Sequence, residues 1–154
     1  MLLRAGINRD SIKILNLGKN SNAYYDDLLK EYVKNIEYVA YSFQSDKLAG
    51  YIKKSLGDDH IRDVIVIYDE LLKGEIIELK DGRSIGVFYL DSIYGTQAGI
   101  FTQWLTRTVH TMGGKINGVF FNGYCTALDN TISLNDIVIF NKLSGWHDGT
   151  LSVR

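Results

Sequence analysis

Ile76-Ile77-Glu78-Leu79-Lys80-Asp81-Gly82-Arg83-Ser84-Ile85-Gly86-Val87-Phe88-Tyr89-Leu90 decides the kind of sheet this chain builds. Two apolar runs flank Lys80-Asp81-Gly82-Arg83, and an Asp-Gly pair between such runs is a strong hairpin signal, because both residues tolerate the backbone of a tight turn. The stretch is therefore predicted as an antiparallel element. Everything around it alternates strand and helix. Ser11-Ile12-Lys13-Ile14-Leu15-Asn16-Leu17 alternates apolar and polar residues and ends at Gly18, as a strand running into a turn does. Asn20, Ser21 and Asn22 are competent N-caps for a helix from Ala23 to Lys34, with Tyr25, Leu28, Leu29, Tyr32 and Val33 at helical spacing.

The pattern repeats downstream. Tyr38-Val39-Ala40-Tyr41-Ser42-Phe43 reads as a strand, Ser45 as the cap of a helix from Asp46 to Leu56, and Gly57 as its stop. Val64-Ile65-Val66-Ile67-Tyr68 is a continuous β-branched run, expected of a strand buried on both faces. From Thr96 to Met112, the residues Ile100, Phe101, Trp104, Leu105, Val109 and Met112 fall on one helical face, and Gly113-Gly114 ends the helix. Val119-Phe120-Phe121 and Asp136-Ile137-Val138-Ile139-Phe140 are predicted strands on either side of a loop that begins at Asn122. This order of elements predicts a three-layer α/β/α fold with a central mixed sheet, in a single domain over 1–154.

The bulk numbers narrow the function classes. A chain of 154 residues, 45% hydrophobic, can bury one real core. Seventeen basic and eighteen acidic side chains leave a net charge of -1, which lacks the basic field of a phosphate-backbone binder and argues against nucleic acid as a partner. Lys53-Lys54, the densest basic pair, is followed by Asp58-Asp59 and reads as a solvated helix end. The single cysteine, Cys125, permits no internal disulfide and suits a reducing compartment. Met1-Leu2-Leu3 meets Arg4 at once, so no signal or membrane segment is expected and the predicted location is cytoplasmic. Three histidines without ligand spacing predict no metal, and no cofactor is expected. The absence of proline reads as compositional bias without functional meaning, although it leaves no prolyl bond to shape the loops.

In open α/β sheets, ligands collect at the carboxyl ends of the strands. Three loops here qualify: Gly18 to Asn22, Asp91 to Thr96 and Asn122 to Leu128. Each carries glycine and small or hydroxyl residues that let the backbone approach a ligand closely, although glycine also serves simply to turn a chain.

The order of these motifs resembles the nucleoside phosphorylase and nucleosidase superfamily. Ile14-Leu15-Asn16-Leu17-Gly18-Lys19 looks like its opening strand and turn. Lys73-Gly74, followed by the Lys80 to Val87 hairpin, is similar to the hairpin before its glycine-rich loop and long helix. Asp91-Ser92-Ile93-Tyr94-Gly95-Thr96-Gln97-Ala98-Gly99 takes the place of that loop. Asn117-Gly118-Val119-Phe120-Phe121-Asn122-Gly123-Tyr124-Cys125-Thr126-Ala127-Leu128 resembles the family's strand and Gly-Thr/Ser-Cys/Ala-Gly-Gly/Ala-Leu loop. Leu134-Asn135-Asp136-Ile137-Val138-Ile139 looks like its Gly-Asp-hydrophobic strand, and Trp146-His147-Asp148-Gly149 falls at a later turn. The similarity spans roughly residues 11 to 150 and rests on the co-linearity of several short motifs.

The resemblance implies a nucleoside or nucleobase ligand, contacted by Gly18, Ser92, Gly95, Asn122, Gly123, Tyr124, Cys125 and Thr126. Departures from the family pattern shape the expected chemistry. Arginines that hold phosphate in phosphorolytic members correspond here to Asn22 and Phe121, while Tyr124 and Thr126 replace the loop's Thr/Ser and second glycine. Inorganic phosphate thereby loses its bidentate partners, and hydrolysis fits the residues better than phosphorolysis. Family members continue beyond the position of Arg154, and that portion carries the ribose-gripping glutamate and the proton-donating aspartate. General acid cleavage of an N-ribosyl bond needs such a carboxyl within reach of the base.

Among the residues taken singly, Asp91 reads as a general base or sugar ligand, or as a helix cap. His147 and Asp148 face either a site or solvent. Cys125 reads as an inert, buried small hydrophobe, His110 as a solvated helix residue and His60 as a loop residue. Tyr94, Tyr124 and Trp146 can stack on a base or cap the core. The expectation is a nucleoside (or nucleotide) binding protein in which N-ribosyl cleavage proceeds only if a partner supplies the missing groups. The alternative is a catalytically inactive, shortened homologue acting as a structural or regulatory partner. Either way a homo-oligomer or partner subunit is expected, because a family fold lacking its C-terminal part leaves a sheet edge open.

Overall fold

A computed structural model of the chain describes residues 12–15, 27–68, 72–89, 96–142, 144–147 and 150–153. The predicted hairpin is present. β4 (Lys73–Leu79) pairs antiparallel with β5 (Ser84–Tyr89), and the turn closes through Leu79 N–H to Arg83 O and Gly82 N–H to Leu79 O, at 2.8 and 3.0 Å. Gly82 has φ +95, a left-handed conformation that glycine adopts without steric cost.

Four further strands complete a six-stranded mixed sheet: β1 (Ile12–Leu15), β2 (Ile36–Ser42), β3 (Ile61–Tyr68) and β6 (Gly118–Asn122), in the order β1-β3-β4-β5-β2-β6. β1 runs parallel to β3, and β2 runs parallel to both β5 and β6. β4 is antiparallel to both of its neighbours, so among the described strands of this sheet it is the one that is reversed, inserted by the hairpin that the Asp81-Gly82 pair announces.

Three helices connect these strands: α1 (Asp27–Val33), α2 (Ser45–Leu56) and α3 (Thr96–Thr111), with a short 3-10 turn at Asp58–His60. Strand periodicity sends alternate side chains to opposite faces, and the two apolar clusters follow it. Leu29 and Val33 of α1 join Phe101, Leu105 and Val109 of α3 against Val39, Tyr41, Ile65, Ile67, Ile76 and Phe88. The alternate residues Val64, Ile77, Leu79 and Val87 pack with Ala49, Leu48, Ile52 and Leu56 of α2. Helices thus cover the sheet in two separate apolar clusters, and each cluster draws on a different alternate set of strand residues.

Several local expectations need correction. Ser45 lies inside α2, whose N-cap is Gln44 and makes no side-chain capping bond. Ile100 and Met112 share the α3 sequence face with Phe101 and Leu105 but remain exposed, because the buried stripe is narrower than the apolar one. Asp136 to Phe140 forms no strand. It follows a turn made by Asp136 N–H to Ser133 O at 3.1 Å and Ser133 N–H to Asp136 Oδ2 at 2.8 Å, with Asn135 at φ 72. β-branched residues favour a pleated, half-buried surface only where a neighbouring strand supplies a ladder, and among the described residues none does.

The chain divides into two compact units, residues 1–123 and 124–154. In the second unit, β7 (Ser144–His147) pairs antiparallel with β8 (Thr150–Val153), with Trp146 opposite Leu151 and His147 opposite Thr150. The residues expected as a turn at Trp146-His147 are therefore strand.

Candidate functional site

Direction and order of the strands place the candidate loops. β1, β2, β5 and β6 share one direction, so the chain leaves Leu15, Ser42, Tyr89 and Asn122 at the same edge of the sheet. With strands about 4.8 Å apart, the ends of β5 and β6 flank that of β2 at roughly 10 Å from one another, and β1 ends about 14 Å from β5. Gly18, Asp91, Ser92, Tyr94, Gly95 and Asp148 lie outside the described residues. What the sheet fixes is that the strand ends Leu15, Tyr89 and Asn122 lie at this edge.

A second feature singles out one part of the edge. β2 and β5 are parallel neighbours, yet the helix after β2 is α2, which packs in one apolar cluster, and the helix after β5 is α3, which packs in the other. Adjacent parallel strands whose crossovers go to opposite faces open a crevice between their carboxyl ends, and open α/β sheets bind ligands in such a crevice. Ser42 and Tyr89 are paired in register at this point, and Asn122 is paired with Ser42 on the other side.

Hydrogen bonds there are specific. Gln44 N–H donates to Ser42 Oγ at 3.1 Å, and Ser42 Oγ donates to Asn122 Oδ1 at 3.1 Å. Ser42 is buried, whereas Asn122 is exposed. One residue earlier, on the opposite face, Tyr41 is fully buried with its hydroxyl 2.7 Å from Thr102 Oγ1, and its ring stacks on Phe121 at 5.1 Å. Phe121 remains 65% exposed. It offers an aromatic face without charge.

Gly123 ends the first unit, and Tyr124, Cys125 and Thr126 open the second, in an irregular, exposed segment. Cys125, expected to be buried, is instead exposed with a free thiol. His110 and His60 are exposed, as expected of helix-surface and loop residues. Close to the loop, Thr131 N–H donates to Asp129 Oδ1 at 2.9 Å, and this bond holds the Asp129 carboxyl below its ordinary 3.8. Among the described residues, no group of His, Cys, Asp and Glu can hold a metal ion, and no helix is long and apolar enough to cross a membrane.

Ser42, Gln44 and Phe120 were not among the candidates. Ser42 is, like residues of those loops, a small hydroxyl residue at the end of an apolar strand, but no glycine follows it in the turn. Chemically, the edge offers hydroxyl and amide groups beside aromatic rings and, among the described residues named here, no carboxylate for acid catalysis. No family model, curated protein or solved structure matches the chain.

Proposed function

We propose that this chain is a nucleoside-binding protein with a three-layer, phosphorylase-like arrangement, and that the ligand occupies the crevice at the carboxyl ends of β5, β2 and β6. The observation that carries this reading is the divergence of α2 and α3 from parallel neighbours β2 and β5, next to the Ser42–Asn122 pair. Aromatic surface beside neutral hydrogen-bonding groups suits a base and a sugar better than a phosphate. Hydrolysis of an N-ribosyl bond requires an acid that a partner chain would supply. Calorimetry with adenosine, inosine, uridine and methylthioadenosine tests the reading: at least one binds with micromolar affinity, and inorganic phosphate does not compete. Silence across the panel refutes it.

A second reading, a structural or regulatory partner without catalysis, is favoured by β6. This strand pairs only with β2 among the described residues, and Val119, Phe120 and Phe121 are exposed along it. An apolar edge strand without proline or charge is open to pairing with another chain. Light scattering then gives a dimer or larger assembly, and no base is released from any nucleoside. A monomer refutes this second reading.

A further inference from the structure

On the α2 side of the sheet, a cleft of about 440 Å³ runs beneath Asn122, lined by Tyr38, Ala40, Leu48, Ile52, Ile85 and Phe120 among others. That volume falls in the range of small-molecule sites. None of the described side chains lining it is charged, and Asn122 contributes an amide to the lining. Phe120 is 58% exposed and tilted at 40° to Tyr38, with ring centroids 6.3 Å apart, so the cleft has an open aromatic wall opposite the aliphatic side chains of α2.

The hydrogen bonds set the polarity of the amide. Ser42 Oγ already accepts the Gln44 N–H, so its hydroxyl hydrogen is free to donate, and it donates to Asn122 Oδ1. With its oxygen turned to the buried Ser42, Asn122 presents the two N–H donors of its amide away from that bond. A ligand seated against Phe120 therefore meets donors and must offer an acceptor.

We infer that the cleft takes an uncharged, planar heteroaromatic ring, stacked on Phe120, whose ring nitrogen or carbonyl oxygen accepts a hydrogen bond from Asn122 Nδ2. Placing a nucleobase there rests on the nucleoside reading above; the ring-and-acceptor chemistry does not. Charged groups are disfavoured in the cleft, because its apolar walls offer a charge no compensating partner. The phosphate of a nucleotide would thus have to remain outside.

Calorimetry on the full chain with adenine, adenosine and the 1-, 3- and 7-deaza analogues of adenosine tests this. One deaza analogue, lacking the acceptor that faces Asn122, binds about tenfold more weakly than adenosine, the loss of one hydrogen bond to a desolvated donor. Asn122→Ala weakens adenosine by a similar factor and abolishes the discrimination. Phe120→Ala weakens all five ligands, in proportion to a lost stacking partner. Both positions are exposed, so these variants keep the fold. If adenosine binds but neither substitution changes its affinity, the cleft inference is wrong and the nucleoside reading survives. If no nucleoside binds but quinoline and isoquinoline shift the Asn122 amide and Phe120 ring NMR signals, the nucleoside reading fails and the cleft inference stands. No shift with either probe, together with no nucleoside binding, overturns both.

Discussion

Lys53 of α2 and Glu75 of β4 form an ion pair beneath the helix, with Nζ 2.5 Å from Oε1 and side chains only 5% and 14% exposed. It lies among the apolar residues that join α2 to the sheet, so Lys53 is buried and only Lys54 is exposed as the solvated helix end expected of the pair. Desolvating two charges costs most of what their attraction returns, but removing one partner leaves the other buried and uncompensated.

Lys53→Ala and Glu75→Ala are therefore each expected to cost about 3–5 kcal/mol, whereas the double change Lys53→Met with Glu75→Leu is close to neutral. Chemical denaturation of the three variants reads this directly. Single variants no less stable than the double one would show that the pair is solvated in solution.

Two glycines make room for one ring. A Cβ on Gly86 would stand 2.8 Å from Phe88 Cε2 and 3.2 Å from Ile36 Cδ1, and one on Gly74 would stand 2.8 Å from Phe88 Cδ1 and strike the Val87 carbonyl oxygen. Phe88 is fully buried and meets Phe101 edge to face at 5.0 Å, so it has nowhere to retreat. Gly74→Ala is expected to destabilise by about 3 kcal/mol, since backbone must move, and Gly86→Ala by about 1–2 kcal/mol. Gly99 on α3 is the control. A Cβ there meets nothing within 4 Å, so Gly99→Ala gains about 0.5–1 kcal/mol from the helical backbone. Thermal unfolding of the three variants in parallel should give both signs; a stabilising Gly74→Ala would contradict the packing around Phe88.

The buried hydroxyl of Tyr41, 2.7 Å from Thr102 Oγ1, ties β2 to α3 directly below the candidate crevice. Tyr41→Phe is expected to cost about 1 kcal/mol, the net worth of one such bond. Its effect on ligand affinity should be small, because the hydroxyl faces the α3 side while the cleft lies on the α2 side. Calorimetry and unfolding together check this, and a large loss of affinity at unchanged stability would move the site to the α3 face.

Where local chemistry and period were both decisive, the fold was legible. Asp81-Gly82 gave the hairpin, Gly57 gave the end of α2, and Phe101, Leu105 and Val109 gave α3. Ile137 and Ile139 misled, because β-branched alternation reports what a residue tolerates and not whether a strand lies beside it. The β7–β8 hairpin was missed although Asp148-Gly149 carries the signal used at Asp81-Gly82; the family likeness drew Trp146 and His147 into a turn. At the site, Asn122 was legible as a strand-end residue. Ser42 and Phe120 were not, since their importance comes from the parallel pairing of β2 with β6, a contact between segments 80 residues apart.

Asp81 carries the hairpin's pH dependence. Arg83 Nε donates to its Oδ2 at 2.9 Å and Arg83 N–H to its Oδ1 at 3.0 Å. These bonds, the side-chain one foremost, hold the Asp81 carboxyl below its ordinary 3.8, and the side-chain bond raises the Arg83 guanidinium above its ordinary value. A carboxyl depressed in the folded state stabilises it fully above the unfolded value and loses that contribution as pH falls through the folded one. The hairpin is therefore expected to loosen only at pH below about 3.8, and the neutral range is flat for this pair because Arg83 stays charged. NMR titration of the Asp81 carboxyl should give a midpoint under 3.8 in the native chain. Arg83→Ala should move it most of the way back and leave the part due to the backbone N–H, while Arg83→Lys should restore part of the charge effect without the two-point geometry. A native midpoint at the ordinary value, unchanged by either substitution, would mean that the turn is held by its backbone bonds and Gly82 without the Asp81–Arg83 pair.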